Sequence, residues 1–508
     1  MSTTKKFTVE KIDYIYERLR TQITSNESSI TSQSYVFFII GASLKGKSIQ
    51  HWWLYRDGVL PKNISFIGYS RSQLTIEQIF ENSHKYMKIQ EDEHDIYEKF
   101  LKLNSYISGS YDKSEDFENL NSKANKISHQ VNAHRLFYLA LPPNVYESVS
   151  ELISKHCRAA SPGWLRLIIE KPFGKDLESS NKFSQHLNKL YTEEEIYRID
   201  HYLGKEMVQN ILVLRFSNRI FSRVWNRDSI AGVQIIFKEK IGTHGHGSYF
   251  DEVGIIRDVI QNHLMQILSI LAMEKPRSTT GEDIRDEKVK VLRCIAPIKL
   301  ENVIVGQYID DKNVPKDSTT PTYAQIILFI KNERWDGVPF ILRAGKALNE
   351  RKAEIRIQFR DVPGRMFDEE LSENNVEGTL ARDELVIRIQ PDEAIYLKIN
   401  TKRPGEMNFS IEETELDLTY NERYQGVKLP NAYERLILDV FMGSKINFVR
   451  SDELQEAWRI IDPILAEIEK KKLQIIPYKF GAIGIREAFD AAVKQGFIYT
   501  RTYVWEDD

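Results

Sequence analysis

Short runs of β-branched and aromatic residues alternate with longer helical patterns over the first part of the chain. Helical candidates lie at residues 48–55, where Ile49, Trp52 and Trp53 share one face, and at residues 75–87. The runs between them lack the polar alternation of half-exposed strands, so they predict buried parallel strands. These runs lie at residues 35–40, 64–69, 136–141 and 165–169. Strand, helix and strand in alternation predict a doubly wound α/β domain.

The pattern changes after about residue 205, where helical stretches at residues 254–273 and 289–294 precede period-two runs. Such runs predict a largely antiparallel sheet, and hence a separate α+β domain. They lie at residues 323–331, 353–359, 384–390 and 394–400. We therefore predict three parts, which are an N-terminal extension (1–34), a Rossmann-like domain (35–200) and a larger α+β domain (201–508).

Composition narrows the class of partner. The 508 residues include 70 basic and 73 acidic side chains, giving a net charge of -3. No basic patch for nucleic acid or an anionic membrane is evident, so a small molecule is the expected partner. Cys157 and Cys294 are too few for a disulfide framework or a zinc site. The N-terminus lacks the apolar core of a signal peptide, which predicts a cytoplasmic protein.

One apolar stretch, residues 255–273, is interrupted by Arg257, Asp258 and His263. These polar residues argue against a membrane span. We expect no membrane partner.

The run VFFIIGASLKGKS at residues 36–48 has the spelling of a P-loop, whose amides and lysine bind nucleotide phosphates. A P-loop also needs an acidic residue at the end of another strand to hold magnesium. The two candidates are Asp439 and Glu170. Asp439 lies in ERLILDVF, which is typical of a helix, and Glu170 is followed directly by Lys171 and Pro172. An NTPase, a dinucleotide-binding loop and an uninvolved turn therefore all stay open.

The segment RIDHYLGKE at residues 198–206 places an acid, an imidazole, a phenol and an ammonium close together. If a helix starts near His201, Tyr202 and Lys205 share one face and form an anion site with the helix N-terminal amides. The alternative is a solvated helix start capped by Asp200.

A second feature is His263, which shares the apolar stripe of the helical pattern around it. A lone histidine there is more often a core residue than a catalyst. A buried imidazole paired with a carboxylate can instead act as a general base near neutral pH.

Six segments together carry a resemblance to a known family, namely LALPP (139–143), EKPFG (170–174), RIDHYLGKE, YFDEVGIIRDVIQNHL (249–264), NERWDGVPFILRAGKAL (332–348) and YERLILDVF (433–441). They closely resemble the animal-type glucose-6-phosphate dehydrogenases, and the resemblance extends from about residue 35 to residue 505. It implies an NADP-binding Rossmann-like domain followed by a substrate-binding and dimerisation domain. The implied reaction is NADP-dependent oxidation of D-glucose 6-phosphate to 6-phospho-D-glucono-1,5-lactone, the first step of the oxidative pentose phosphate pathway, without a metal.

The same resemblance assigns residues to roles. It implies that His263 is the base and that Asp200 orients it. The substrate-binding residues would be Lys171, His201, Tyr202, Lys205, Glu239, Asp258, Lys346 and Gln390. The peptide bond before Pro172 is expected to be cis.

Two coenzyme sites are implied. Residues that match the catalytic NADP site are Gly41, Ser43, Arg71, Tyr146 and Lys171, with Arg71 placed to take the 2′-phosphate. Residues that match a second, structural NADP site are Lys238, Arg343, Lys352, Arg388, Tyr396, Lys398, Tyr499 and Trp505. A homodimer or homotetramer is also implied.

The chain departs from the family pattern at two places. The family reads Gly-Ala-Ser-Gly-Asp-Leu-Ala at the first turn, whereas Gly41-Ala42-Ser43 is followed here by a turn about four residues shorter, roughly one helical turn. Ile483 stands where animal members carry an arginine that stacks on the structural NADP. A catalytically silent relative that keeps the sugar-phosphate site but lacks coenzyme binding is therefore the alternative to an active dehydrogenase, with a P-loop NTPase behind both.

Overall fold

The computed structural model describes residues 33–41, 44–129, 132–242, 247–309, 318–364, 366, 381–424, 430–470 and 473–499, with the backbone alone at residues 44–48, 82, 247–249, 252 and 421. Ser43 and Trp505 lie outside the described residues. Two sheets organise the chain, one of six strands and one of nine.

The six-stranded sheet is parallel throughout, in the order β3-β2-β1-β4-β5-β6. Its strands are β1 (Tyr35–Ile40), β2 (Ile64–Ser70), β3 (Asn104–Ser108), β4 (His134–Leu139), β5 (Leu165–Glu170) and β6 (Ile196–Ile199). This is the strand order of a dinucleotide-binding fold, in which the order reverses between β1 and β4. The predicted Rossmann-like domain is confirmed.

Helices cover both faces of this sheet, as the apolar strands require. They are α1 (Leu44–Arg56), α2 (Ile76–Met87), α3 (His94–Lys102), α4 (Ser114–Ser128), α5 (Tyr146–His156) and α6 (Leu177–Leu190). Thr75 begins α2 with a capping box, since its side chain accepts from the amide of Gln78. Trp52 of α1 is fully buried against the rings of Tyr97 and Phe100.

The nine-stranded sheet is mainly antiparallel, with parallel pairs only at β7–β10 and β8–β15 among its described strands. Its strands are β7 (Ile230–Lys238), β8 (Val303–Tyr308), β9 (Tyr323–Phe329), β10 (Pro339–Gly345), β11 (Lys352–Phe359), β12 (Glu384–Gln390), β13 (Ala394–Lys402), β14 (Ile411–Thr419) and β15 (Ile475–Tyr478). The predicted antiparallel sheet of a larger α+β domain is confirmed.

Helices of the larger part pack on both faces of this sheet and against the first domain. They are α7 (Glu206–Ser217), α8 (Arg219–Val224), α9 (Gly247–Ile255), α10 (Met265–Ala272), α11 (Gly281–Arg293), α12 (Tyr420–Arg423), α13 (Ala432–Met442), α14 (Ser451–Glu469) and α15 (Arg486–Lys494). Asp439 lies within α13, as the ERLILDVF pattern predicts. None of the described helices combines the length and the apolar character needed to cross a membrane.

The predicted helix at residues 254–273 is interrupted twice. Gly254 has a φ of 69° and kinks the chain before a π-helical segment, Ile256–Leu264, which leads into α10. A positive φ strains residues that carry a Cβ, so glycine suits this kink. Single π turns inside α-helices are often found at functional sites.

Candidate active site

A cleft of about 400 Å³ opens where the end of β6 meets β7, β12 and the π-helical segment. All eight residues predicted to bind substrate line it, and so does His263. Asp200 lies behind His263 and is 2 % exposed. The structure therefore brings together residues that are far apart in the sequence.

The segment that follows β6 forms a tight turn instead of the expected longer helix. Asp200 caps a single 3₁₀ turn, His201–Gly204, by accepting from the amide of Tyr202 at 3.0 Å, and α7 starts only at Glu206. A helical turn thus begins at His201 as predicted, but it is short, and Lys205 follows it with Nζ 5.1 Å from the centroid of the Tyr202 ring. Gln390 also joins the two side chains in the cleft.

Asp258 and His263 both reach the cleft from the π-helical segment. In an α-helix, residues five apart point in different directions, since one turn takes 3.6 residues. Hydrogen bonds from residue i to residue i+5 widen the turn and bring such residues onto nearly the same face. The π-helical segment thus explains how the two side chains share one site.

The imidazole of His263 is paired with the carboxylate of Asp200. Nδ1 of His263 lies 2.6 Å from Oδ1 of Asp200. An ionised carboxylate only accepts hydrogen bonds, so Nδ1 carries the proton and Nε2 keeps its lone pair. The second oxygen, Oδ2 of Asp200, is buried without a hydrogen-bond partner in the described part of the chain.

Burial sets the protonation of this pair. Burial alone would raise the pKa of Asp200, but the facing imidazole lowers it to about 2. Burial lowers the pKa of His263 below its ordinary value, although Asp200 opposes that change. At neutral pH the pair is therefore a carboxylate and a neutral imidazole, the state of a general base.

Two aromatic side chains pack around the His263 ring. The His201 ring meets it edge-on and the Tyr202 ring stacks on it, each with centroids 4.6 Å apart. Burial and the nearby cations lower the pKa of His201 to about 3. The ligand atoms of Asp200, His201 and His263 lie within 4.8 Å of one another, a spacing that a metal ion could also use.

Ion pairs hold the lysines of the cleft. Nζ of Lys171 donates to Oδ1 of Asp258 at 3.1 Å and to its carbonyl oxygen at 2.7 Å. Nζ of Lys346 donates to Oε2 of Glu239 at 2.7 Å and lies 3.6 Å from Asp258. Burial would raise the pKa of Asp258, but Lys171 and Lys346 lower it. The cleft thus places two cations and two carboxylates beside the imidazole.

At the other end of the cleft, Nζ of Lys205 donates to Oε1 of Gln390 at 2.7 Å, and Nε2 of Gln390 donates to the Tyr202 hydroxyl at 3.3 Å. The chain is turned by the cis peptide bond between Lys171 and Pro172, as expected.

Further residues line the cleft that the sequence did not single out, namely Gln50, Phe237, Val259, Arg351, Asn431, Ala432 and Tyr433. Tyr433 stacks on His201 with centroids 5.6 Å apart. It is the first residue of YERLILDVF, one of the segments that carry the family resemblance, so the sequence did draw attention to this part of the chain. Gln50 lies in α1, where nothing in the sequence indicated a contact with the cleft.

The first strand ends at the place where the coenzyme is expected. Gly41 has a φ of 126°, and a Cβ there would lie 2.1 Å from the carbonyl oxygen of Ala140. Only glycine fits this close approach between the ends of β1 and β4. The helix α1 starts three residues later with Leu44, so its N-terminus follows the turn directly.

The other predicted coenzyme residues lie on the same edge of the sheet. Arg71 follows β2, is exposed, and has its guanidinium 5.2 Å from the centroid of the Tyr111 ring. Tyr146 starts α5 and is 1 % exposed, with its hydroxyl donating to the carbonyl oxygen of Glu170 at 3.1 Å. Arg71 is therefore accessible to a ligand, whereas Tyr146 is buried and forms a hydrogen bond with the residue before Lys171.

Of the residues predicted to line a second NADP site, Trp505 lies outside the described residues and Tyr499 lies outside the sheet, and the others lie on neighbouring strands of the nine-stranded sheet. Lys238 is paired with Glu350 at 3.3 Å, and Lys398 with Glu413 at 3.1 Å. The side chain of Arg343 donates to Oε1 of Gln325 and to the Tyr499 hydroxyl, the latter at 2.8 Å. The remaining contacts are Lys352 with Glu350 at 3.1 Å and Arg388 with the Tyr396 hydroxyl at 3.5 Å.

Comparisons with known proteins agree over nearly the whole chain. Residues 48–210 match the family model "Glucose-6-phosphate dehydrogenase, NAD binding domain", and residues 212–505 match "Glucose-6-phosphate dehydrogenase, C-terminal domain". The first match begins after the shortened turn.

Among curated relatives, the glucose-6-phosphate 1-dehydrogenase of Caenorhabditis elegans is 55 % identical, with 93 % of each chain covered. That of Takifugu rubripes is 54 % identical, with 93 % of this chain and 91 % of the relative covered. A solved structure described as "Glucose-6-phosphate dehydrogenase in complex with its substrate glucose-6-phosphate" has a TM-score of 0.86 at 41 % identity, and the match covers 92 % of this chain and 99 % of that one. The chain belongs to the glucose-6-phosphate dehydrogenase family.

Proposed function

We propose that this chain oxidises D-glucose 6-phosphate to 6-phospho-D-glucono-1,5-lactone with NADP as the oxidant. The observation that carries the proposal is the buried pair of Asp200 and His263 at the wall of a cleft lined by lysines. A neutral imidazole takes a proton, and lysines hold a phosphate monoester. This reaction is the first step of the oxidative pentose phosphate pathway.

His263 is the proposed base. With Nδ1 bound to Asp200, Nε2 takes the proton of the sugar C1 hydroxyl as the C1–H bond breaks. Asp200 holds the ring in this tautomer and stabilises the imidazolium that forms, the logic of an acid and histidine in a catalytic triad. Bound NADP supplies the hydride acceptor at C4 of its nicotinamide. The products are then the lactone, NADPH and a proton on His263.

The remaining cleft residues are proposed to bind the sugar phosphate. Lys205, His201 and Tyr202 would hold the phosphate end, because Lys205 is the cation there and Tyr202 offers a hydroxyl. Glu239 and Asp258 would accept hydrogen bonds from sugar hydroxyls. Lys171, Lys346 and Gln390 would make further substrate contacts, since each lines the cleft.

The catalytic NADP fits the carboxyl edge of the six-stranded sheet. The ends of β1 and β4 approach each other closely at Gly41, at the point where the strand order reverses, which is where dinucleotides bind in such folds. Exposed Arg71 would take the 2′-phosphate, and Ser43 and Lys171 would lie beside the bound coenzyme. Tyr146 would act indirectly by holding the carbonyl of Glu170.

A second NADP is proposed for the polar face of the nine-stranded sheet. Lys352 and Arg388 are only half-buried and could reach a phosphate, whereas Lys238 and Arg343 are buried and already paired. Tyr396, Lys398, Tyr499 and Trp505 complete the proposed set. Ile483 supplies no cation, so this site should bind NADP more weakly than a site that carries the family's arginine at this position.

Assembly and location are proposals as well. We take the domain boundary to lie near residue 200 and the chain to form a homodimer or homotetramer through the larger domain. A cytoplasmic location is consistent with two cysteines that are free in the structure. Sedimentation of the purified protein would give the number of subunits.

The test is a coenzyme titration of the purified protein with and without glucose 6-phosphate. NADPH is followed by its absorbance in the same samples, and calorimetry gives the number of NADP molecules bound. We expect saturable NADP binding with turnover. A His263→Gln variant should keep sugar-phosphate binding and lose turnover by about 10²–10⁴-fold, the usual range for a general base.

Two outcomes would contradict the proposed function, and a third would contradict the role of His263. Sugar-phosphate binding without any NADP binding would identify a catalytically silent relative whose shortened turn no longer holds the coenzyme. Release of phosphate from ATP would identify an NTPase. An unchanged rate in His263→Gln would remove His263 as the base.

A further inference from the structure

Two glutamines line the cleft, and their amides are held differently. Gln390 uses both ends, since Oε1 accepts from Lys205 and Nε2 donates to Tyr202. Oε1 of Gln50 is buried and has no hydrogen-bond partner within the described residues. A buried acceptor without a donor is unfavourable, so Gln50 is suited to a ligand that brings a donor.

The helix that carries Gln50 is firmly packed. Next to Gln50, the His51 ring meets the Phe37 ring edge-on with centroids 4.4 Å apart, and Trp52 is fully buried. On another side α1 contacts α13, whose first turn lines the same cleft. Neighbours on both sides thus position the part of α1 that places Gln50 at the cleft.

Gln50 also differs in charge from the other polar groups of the cleft. The lysines suit the phosphate, and Glu239 and Asp258 are carboxylates already bound to lysines. A neutral amide oxygen can accept a hydrogen bond without attracting a cation or repelling the phosphate as a carboxylate would. A sugar hydroxyl is a neutral donor, so it suits this neutral acceptor.

We infer that Oε1 of Gln50 accepts a hydrogen bond from a hydroxyl group of the bound sugar phosphate, and that Gln50 is a further specificity-determining residue. The inference rests on the proposed function. It assigns a substrate contact to the first helix of the coenzyme domain, directly after the turn in which this chain departs from its family.

The test uses the full-length Gln50→Met variant, which keeps the side-chain length but removes the acceptor. Binding of glucose 6-phosphate is measured by calorimetry without coenzyme, and KM is measured for both ligands. We expect affinity for glucose 6-phosphate to fall about 3- to 10-fold, as for one neutral hydrogen bond, with KM for NADP unchanged. Gln495→Met, the same change at an exposed position, should leave both values as in the wild type.

Sugar phosphates that each lack one hydroxyl locate the contact. One such analogue should lack the hydroxyl that donates to Gln50. Wild type and Gln50→Met should bind this analogue equally, because neither complex can form the hydrogen bond. Equal binding of glucose 6-phosphate by both proteins, or an effect confined to NADP, would overturn the inference. A wild type that binds no glucose 6-phosphate would instead refute the proposed function. Gln50→Ala replaces Gln50→Met if the latter does not fold.

Discussion

The cleft and the polar face of the nine-stranded sheet both set cations against acids, but they differ in solvent access. In the cleft, the side chains of Lys171 and Lys346 are 27 % and 13 % exposed, and each is paired with a carboxylate. On the sheet, Lys238 and Arg343 are each 1 % exposed. Basic side chains are therefore accessible to a ligand in the cleft, whereas those on the sheet are part of the protein interior.

The difference has an energetic meaning. An ion pair that solvent still reaches is weaker than a fully buried one, so a polar group of a ligand can replace its carboxylate at smaller cost. A buried cation has already lost its water, and removing its partner leaves an uncompensated charge. Burial lowers the pKa of Lys238 to about 8, whereas the carboxylate of Glu350 opposes that shift. Substitutions in the cleft should thus change catalysis, and substitutions on the sheet should change stability.

The largest effect is expected for Asp200→Asn, which leaves the buried imidazole without its carboxylate. We predict that kcat falls about 10²–10⁴-fold, because the ring loses its fixed tautomer and the imidazolium loses its counter-charge. Asp200 raises the pKa of His263 against the effect of burial, so its loss lowers that pKa further. Since the neutral ring is the active form, the acid limb of the kcat profile should move to lower pH.

Measurement of kcat against pH for both proteins tests this prediction. Asp490→Asn, on the exposed side of α15, is the matched control and should change neither kcat nor the profile. An acid limb that moves to higher pH in Asp200→Asn would contradict the assignment of His263 as the titrating base.

A smaller effect is expected for Lys205→Met, which removes the cation paired with Gln390. We predict that KM for glucose 6-phosphate rises about 10- to 100-fold with little change in KM for NADP, since one charge-assisted hydrogen bond to the phosphate is lost. Lys189→Met, at an exposed position of α6, is the control. An equal rise of both KM values would mean that Lys205 supports the fold of the cleft instead of contacting the phosphate.

Local pattern predicted much of the fold. The buried run at residues 35–40 and the period-two run at residues 384–390 predicted β1 and β12 with their observed bounds. The central strands β7 and β10 were not predicted, since each is an almost continuous buried run without period-two alternation. Strand order depends on pairings between distant segments, which no local pattern contains.

The candidate site was only partly visible in the sequence. Residue chemistry alone drew attention to RIDHYLGKE and to His263, but not to their pairing, because Asp200 and His263 are 63 positions apart. The family resemblance supplied that link and the other cleft residues. The π-helical turn that aligns Asp258 with His263 and the contact of Gln50 depend on backbone geometry and helix packing, and neither leaves a local signal.

The smallest effect on catalysis is expected for Lys238→Met, which should change stability instead. The folded-state pKa of Lys238 is about 8, below its ordinary value of 10.5, so the unfolded chain binds more protons between these pH values. The free energy of unfolding of the wild type should therefore rise with pH across this window, relative to Lys238→Met, by at most about 3 kcal/mol. Denaturant unfolding at several pH values measures the difference, with exposed Lys299→Met as the control. A difference between wild type and Lys238→Met that does not change with pH would show that Lys238 keeps its charge within the sheet. The paired carboxylates would then be sufficient to keep the buried cations of the sheet charged, as they are in the cleft.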